Sequence, residues 1–138
     1  MKFQPDTQAG VNVVTRHESG RIWVGATPFT RSVLVPWTGT LLDWEPQGFD
    51  QLTAAAFERI AALRPELVIF GSGARLRFAA PALIWGLIEQ RIGVETMDTA
   101  AACRTYNVLV NEGRRVVGAL LLEAPPNPAE RAGPGLTL

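Results

Sequence analysis

An apolar run that ends abruptly at a pair of glycines is the feature that most restricts how this chain can fold. Residues 66–70 read Glu-Leu-Val-Ile-Phe and are followed by Gly71, Ser72 and Gly73. A short apolar run rich in β-branched and aromatic residues, bounded by turn formers, is typical of a buried strand. The sequence therefore predicts a buried strand that opens into a loop at residues 71–73.

Helices and strands alternate in the second half of the chain. Because strands that alternate with helices pair in parallel through right-handed crossovers, this order predicts an α/β sheet covered by helices. Asp98 is predicted as the N-cap of the last helix, and Asp50 as the N-cap of the first. The predicted elements are a helix after Asp50, a strand at 66–70, helices at 81–91 and 99–111, and strands at 94–97 and 115–122.

The first 35 residues predict a separate β layer. Segments 11–15, 21–24 and 32–35 are short, rich in β-branched and aromatic residues, and separated by turn formers. The predicted fold class is therefore α/β, a three-layer β plus α/β/α arrangement with a central mixed, partly parallel sheet and an N-terminal β layer. Residues 1–123 are predicted to form one domain, and the Pro/Gly-rich residues 124–138 a disordered tail.

Charge and composition limit the possible partners and location. Thirteen basic residues balance thirteen acidic ones, so no overall positive field draws the chain to nucleic acid or anionic lipid. The apolar run from Phe78 to Ile88 is shorter than the roughly 20 residues that a membrane span needs. The single cysteine and an N-terminus without signal or transit character predict a cytoplasmic protein.

The loop at the end of the buried strand is the candidate ligand site. Carboxyl ends of parallel strands bind ligands in open α/β sheets, and arginine forks bind carboxylates and phosphates. A tight turn with two solvated arginines is nevertheless the favoured interpretation, and ligand binding is the alternative. Leu76 stands where a dinucleotide fingerprint needs its third glycine. The candidate ligand-binding residues are Gly71, Ser72, Gly73, Arg75, Arg77, Asp98 and Asn107.

No recognisable catalytic set accompanies this loop. His17 is the only histidine and is predicted in a turn, so neither a catalytic triad nor a multi-histidine metal site can be assembled. Ser72 lacks the glycine spacing of a nucleophile elbow, and Cys103 lies on the apolar face of its predicted helix. The sequence favours a protein that is not an enzyme, and it predicts no metal and no cofactor.

Four tryptophans are many for 138 residues. Trp23 and Trp85 lie within apolar runs and are predicted in the core. Trp37 and Trp44 lie in the long irregular connection between residues 36 and 48, where tryptophans can either pack or anchor a partner protein. Packing is favoured for both residues, and the alternative is that Trp37 and Trp44 bind a partner, which makes them candidate partner-binding residues.

Several short motifs occur in a distinctive order between residues 11 and 122. They are the Arg21-Ile22 strand, Trp44, the loop 71–73, the segment 94–99, the pair Tyr106-Asn107 and the segment 112–116. In this order they resemble a small-domain family that includes the mitochondrial NADH dehydrogenase (complex I) assembly factor and the adipogenesis-associated domain proteins. The family's usual glycine-threonine-glycine loop has Ser72 at its centre here, which preserves the hydroxyl.

This resemblance implies a function but no reaction. For the mitochondrial members it implies a role in building respiratory complex I through protein contacts, within a three-layer β plus α/β domain. The first residues lack the character expected of a transit peptide and Lys2 is the only lysine, so we expect a bacterial member of largely unknown function. The favoured function is a non-catalytic protein-binding or assembly-accessory factor, and the alternative is a binding protein or enzyme for a small anionic ligand at the loop 71–73.

Overall fold

In a computed structural model, residues 10–123 are described, and they form two sheets and three α-helices. The strands are β1 (Val14–Glu18), β2 (Arg21–Val24), β3 (Thr27–Phe29), β4 (Val33–Pro36), β5 (Leu42–Asp43), β6 (Leu67–Gly71), β7 (Gly93–Met97) and β8 (Val116–Leu120). The helices are α1 (Ala54–Ala61), α2 (Pro81–Glu89) and α3 (Thr99–Asn111), and a 3-10 turn covers Phe49–Gln51. The predicted disordered tail 124–138 lies outside the described residues.

The five-stranded sheet has the order β5-β4-β8-β6-β7. Strand β6 pairs in parallel with both β7 and β8, so that Val68 lies opposite Val94 on one side and Val117 on the other. β4 pairs with β8 in the antiparallel sense. The sheet is therefore mixed and partly parallel, as predicted, because each crossover through a helix returns the chain in the same direction.

Helices cover both faces of this sheet. On one face α1 and α2 bury Phe57, Ile60 and Leu87 against the aromatic ring of Phe70. On the other face α3 buries side chains such as Tyr106 in a second core, to which the three-stranded sheet β1-β2-β3 also contributes. The predicted three-layer architecture with an N-terminal β layer is confirmed.

One predicted member of the N-terminal layer belongs to the other sheet. The segment predicted at 32–35 forms β4, which pairs with β5 and β8 in the five-stranded sheet. All four residues of β4 are buried, because both faces of this strand are covered. A continuous apolar run is the pattern of such a central strand, whereas a one-sided layer would alternate apolar and polar residues.

The two predicted helix caps have different outcomes. The carboxylate of Asp98 accepts a hydrogen bond from the Ala101 amide at 2.9 Å and begins α3 as predicted. The prediction of Asp50 as the cap of α1 is wrong, because Asp50 lies in the 3-10 turn and the chain is extended again at Leu52. Thr53 caps α1 instead, since its hydroxyl accepts a bond from the Ala56 amide at 3.1 Å.

Trp44 belongs to the core. It is fully buried, its ring meets Phe57 and Phe70 edge to face, and its indole nitrogen donates to the Ala56 carbonyl at 3.0 Å. Its candidacy as a partner-binding residue is therefore wrong, because a partner cannot reach a side chain enclosed between α1 and the sheet. Within residues 10–123, none of the helices has both the length and the hydropathy to cross a bilayer.

Candidate functional site

The parallel strands β6 and β7 have their carboxyl ends on the same side of the sheet. We call this side, where the strands end, the carboxyl edge. The Ser72 amide donates to the Met97 carbonyl, and the Thr99 amide donates to the Gly73 carbonyl, both at 2.9 Å. The Gly73 amide donates in turn to the Thr99 hydroxyl at 2.9 Å. The loop 71–73 therefore lies beside Asp98 as the parallel pairing predicts, but the amides of Ser72 and Gly73 already have acceptors within the fold.

The hydroxyl of Ser72 organises the loop. Ser72 is fully buried, and its hydroxyl donates to the Arg75 carbonyl at 2.8 Å and accepts a bond from the Arg77 amide at 3.0 Å. These two bonds close a turn of the backbone over the side chain. A threonine would supply the same hydroxyl, which gives a physical reason for a serine or a threonine between the two glycines.

Arg77 and Arg75 have different surroundings. The guanidinium of Arg77 donates to both carboxylate oxygens of Glu123, at 3.0 and 2.9 Å, and lies over the Phe49 ring at 4.7 Å. Glu123 also accepts a bond from the Phe49 amide at 3.1 Å. The charge of Arg77 is therefore balanced within the fold, whereas Arg75 is exposed to solvent.

Asn107 lies away from the carboxyl edge. Its side-chain oxygen accepts from the Val14 amide at 2.9 Å, and its side-chain nitrogen donates to the Val14 carbonyl at 2.7 Å. Nine residues of helix separate Asn107 from Asp98, which is about 13 Å at 1.5 Å per residue. The side chain of Asn107 thus bonds both backbone groups of Val14, as a neighbouring strand would, and so joins α3 to β1. The structure does not bring Asn107 to the loop 71–73.

A cleft of about 250 Å³ opens at the carboxyl edge. It contains two residues that the sequence did not single out for a site, His17 and Glu123, together with Asp98, Thr99 and the backbone of Gly73. His17 lies in β1 rather than in the predicted turn. No local pattern could have identified it, because β1 reaches the cleft only through the packing of the N-terminal layer on α3.

Burial and charge act in opposite directions on His17. Partial burial lowers the pKa of its imidazole below the ordinary value, because a charged ring loses hydration there, while the nearby Asp98 carboxylate raises it. Burial has the larger effect, so the pKa of His17 is lowered and the neutral form of the ring is favoured at pH 7. The cleft is then lined by a neutral imidazole and two carboxylates, of which Glu123 is paired with Arg77.

Cys103 is buried on α3 as predicted. Burial raises the pKa of its thiol to about 12. The reactive thiolate is therefore scarce at neutral pH, and Cys103 acts as a small apolar core residue.

Exposed apolar side chains form a second feature, on α2 and the segment before it. Of the nine residues of α2, only Leu87 is buried, although the helix is apolar on nearly every side. Such a helix is normally enclosed by protein. We define the α2 surface by four large apolar residues with their exposed fractions, Leu76 (51%), Phe78 (69%), Trp85 (56%) and Ile88 (44%).

The exposure of Trp85 contradicts its predicted place in the core. Because α2 is apolar all round, its sequence contains no polar face to mark the side that points to solvent. Gly86 faces Glu58 of α1, and Leu87 enters the core. Trp85 consequently points outward. Trp37, the other candidate partner-binding residue, is half-buried and packs against both cores.

A protein-family model described as "Protein of unknown function (DUF498/DUF598)" matches residues 14–121. The chain belongs to this family. The predicted resemblance is thereby confirmed, because the family's relatives include the complex I assembly factors and bacterial proteins without an assigned function.

Two relatives show the range of the DUF498/DUF598 family. An uncharacterized protein of Rhodobacter capsulatus is 36% identical over 107 residues, which cover 78% of this chain and 76% of that protein. The NADH dehydrogenase (ubiquinone) 1 alpha subcomplex assembly factor 3 of Mus musculus is 34% identical over 103 residues, 73% of this chain and 54% of that factor. The chain spans about half the length of the assembly factors that it matches.

A solved structure has the same fold. The crystal structure of a Bordetella parapertussis protein superposes with a TM-score of 0.79 at 36% sequence identity, covering 85% of this chain and all of that one. This degree of similarity supports the mixed α/β architecture described above for the DUF498/DUF598 domain.

Proposed function

We propose that this protein is a non-catalytic, protein-binding accessory factor whose partner docks on the α2 surface. The observation that carries the proposal is the exposure of Leu76, Phe78, Trp85 and Ile88, each more than two-fifths exposed, on α2 and the segment before it. Large apolar side chains exposed in one segment of a folded domain are typical of an interaction site. A partner that covers these side chains removes apolar area from water, which favours association.

The kind of partner follows from the family. A relative that is 34% identical is a complex I assembly factor, and a protein that helps to assemble a complex must contact its subunits. We propose that the partner, here called the client, is a subunit or an assembly intermediate of a respiratory complex. An aromatic anchor such as Trp85 fits this role, because tryptophan is strongly enriched among residues that dominate binding energy.

Replacing Trp85 with serine is expected to weaken client binding by about 30-fold or more, the effect of losing a dominant interface residue of about 2 kcal/mol. Stability should change little, because the side chain is already largely in water. The measurement is affinity capture from native lysate, with the retained client quantified by mass spectrometry.

The matched control for this experiment is Val108→Ser. The side chain of Val108 is 57% exposed, nearly the same fraction as that of Trp85, but Val108 lies on α3, at the opposite face of the sheet. The control variant should retain the client as the unmodified protein does. Equal retention of the client by the Trp85 variant would refute docking on the α2 surface.

Small-ligand binding in the cleft is a second candidate function. It is favoured by one observation, namely that the cleft lies at the carboxyl ends of parallel strands, where α/β sheets bind ligands. The candidate ligand is a small anion held near Gly73 and Asp98. Its proposed cation is Arg75, which is exposed to solvent and lies next to the lining residue Ala74. The pairing of Arg77 with Glu123 leaves less positive charge for such an anion.

Titration with inorganic phosphate and simple carboxylates tests this second candidate. If an anion binds, the amide NMR signals of Gly73 and Thr99 should shift in a saturable manner, and Arg75→Ala should remove the response. Arg16→Ala is the control, since Arg16 lies on β1, away from the loop 71–73 in sequence, and its charge is already paired with Glu18. Unchanged spectra across the anion panel would eliminate this function.

A further inference from the structure

We propose that the β7 edge, the side of β7 that faces away from β6, binds an extended segment of a partner protein as an additional strand of the sheet. The segment that fits has a basic residue between two apolar ones. The strand order β5-β4-β8-β6-β7 leaves β7 with a strand on one side only within residues 10–123. The inference goes beyond the proposed function, because it concerns a strand edge and not the α2 surface.

Two residues of β7 direct their backbone groups outward. The Gly93 amide donates to the residue before β6 at 3.2 Å, and the Met97 carbonyl accepts from the residue after β6 at 2.9 Å. Since alternate residues of a paired strand bond the same neighbour, the N–H and C=O groups of Val94 and Thr96 point away from β6. No group within residues 10–123 bonds them. An extended backbone supplies the matching donors and acceptors.

The other sheet edges are protected against such an addition. At the start of β1, Asn107 bonds both backbone groups of Val14. Strand β3 contains Pro28, which has no N–H to donate, and β5 is only two residues long. Short strands, prolines and side-chain cover are the usual devices that keep a strand edge from pairing. Strand β7, with five residues, has none of these devices within the described chain.

A pocket beside the β7 edge can accept apolar side chains of the added segment. Val94 packs against the core beneath α1 and α2, so the side chains of Val94 and Thr96 lie on that face of the sheet. Residues opposite each other on neighbouring strands direct their side chains to the same face, so partner residues beside Val94 and Thr96 point toward the pocket. It has a volume of about 270 Å³ and is lined by Phe70, Phe78, Ala79, Ile84 and the strand residues 94–96.

Glu95 determines the charge of the segment that fits. It lies between the two outward-bonding residues, is exposed, and forms no ion pair among residues 10–123. A lysine or arginine opposite Glu95 would pair with it. In an antiparallel second copy that pairs Val94 with Thr96, Glu95 would lie directly opposite Glu95, and like charges opposite each other are destabilising. Charge therefore favours a basic partner segment over a second copy of this chain.

The probe for the test is the synthetic peptide Thr-Ile-Lys-Ile-Thr, blocked at both ends and titrated to millimolar concentration into the isotope-labelled full chain. Its pattern reads the same in both directions, so it suits parallel and antiparallel addition. We expect saturable shifts of the Val94 and Thr96 amide NMR signals that exceed the shift of Glu95, whose amide faces β6. Glu95→Lys should weaken binding about fivefold, and a peptide with glutamate in place of lysine should recover that loss.

Two N-methylated versions of the peptide separate strand addition from simple apolar stickiness. They are methylated on the two alternate sets of amides, of which only one set faces β7 in an added strand, so one version should lose binding and the other retain it. Equal binding of both versions, no saturable shift at Val94 and Thr96, or unchanged affinity in Glu95→Lys overturns the proposal. A peptide-free dimer in which both amides are already protected from hydrogen exchange also overturns it. Because the Trp85 variant tests client docking separately, these outcomes leave the proposed function standing.

Discussion

Replacing Trp44 with alanine is expected to lower the free energy of unfolding by about 3–5 kcal/mol, the range typical of a buried tryptophan. The side chain is fully buried between α1 and the sheet, and its ring packs edge to face on Phe57 at 5.6 Å and on Phe70 at 6.1 Å. The substitution removes both aromatic contacts and the hydrogen bond to Ala56, and it leaves a cavity that rigid strands cannot fill.

Urea denaturation monitored by far-UV circular dichroism measures this effect. The control is Trp85→Ala, which removes the same side chain from an exposed position and should shift stability by no more than about 0.5 kcal/mol. If the free energy of unfolding of the Trp44→Ala variant lies within about 1 kcal/mol of that of the unmodified protein, the result would contradict the burial of Trp44.

Replacing Gly73 with alanine is expected to cost about 2–4 kcal/mol, through strain and through displacement of an ion pair. Gly73 has a φ of +104°, a conformation that residues with a Cβ atom rarely adopt. A Cβ atom there would overlap Glu123 Oε1, lie 2.8 Å from Glu123 Cδ and lie 3.0 Å from Arg77 Nη2. Because Glu123 must then move, the carboxylate loses its bonds to Arg77 and to the Phe49 amide.

Gly25→Ala separates the two contributions. Gly25 also has a positive φ, +60°, but no atom lies within 4 Å of the position its Cβ would take. This control should cost only the backbone term, about 1 kcal/mol. Equal loss of stability in the two variants, measured by urea denaturation, would show that the Glu123 contact contributes nothing.

Much of the α/β part could be predicted because its local signals agree. The apolar run at residues 66–70, the Asp98 cap and the limits of α3 each predict the same alternation of strands and helices, so the parallel neighbours of β6 followed from sequence order. The position of the loop 71–73 and Asp98 at the same carboxyl edge could also be predicted, since neighbouring parallel strands end on the same side of the sheet.

The remaining features depend on contacts between distant segments. The sequence could not tell that Arg77 is paired with Glu123, because 46 residues separate them and each resembles an ordinary surface charge. His17 reaches the cleft only through the packing of β1 on α3. The sequence places Trp85 in the core and leaves Trp44 open as a candidate partner-binding residue, because apolar surroundings in sequence do not report which side of a helix or loop another element covers.

Site-specific photo-crosslinking tests the central claim, that the α2 surface docks a client. A photoreactive phenylalanine derivative placed at position 85, or at position 108 as the control, keeps an apolar side chain at each site. We expect a discrete covalent adduct between position 85 and a respiratory-complex subunit in cells, and none at position 108. No adduct at position 85, or the same adduct at both positions, would contradict it.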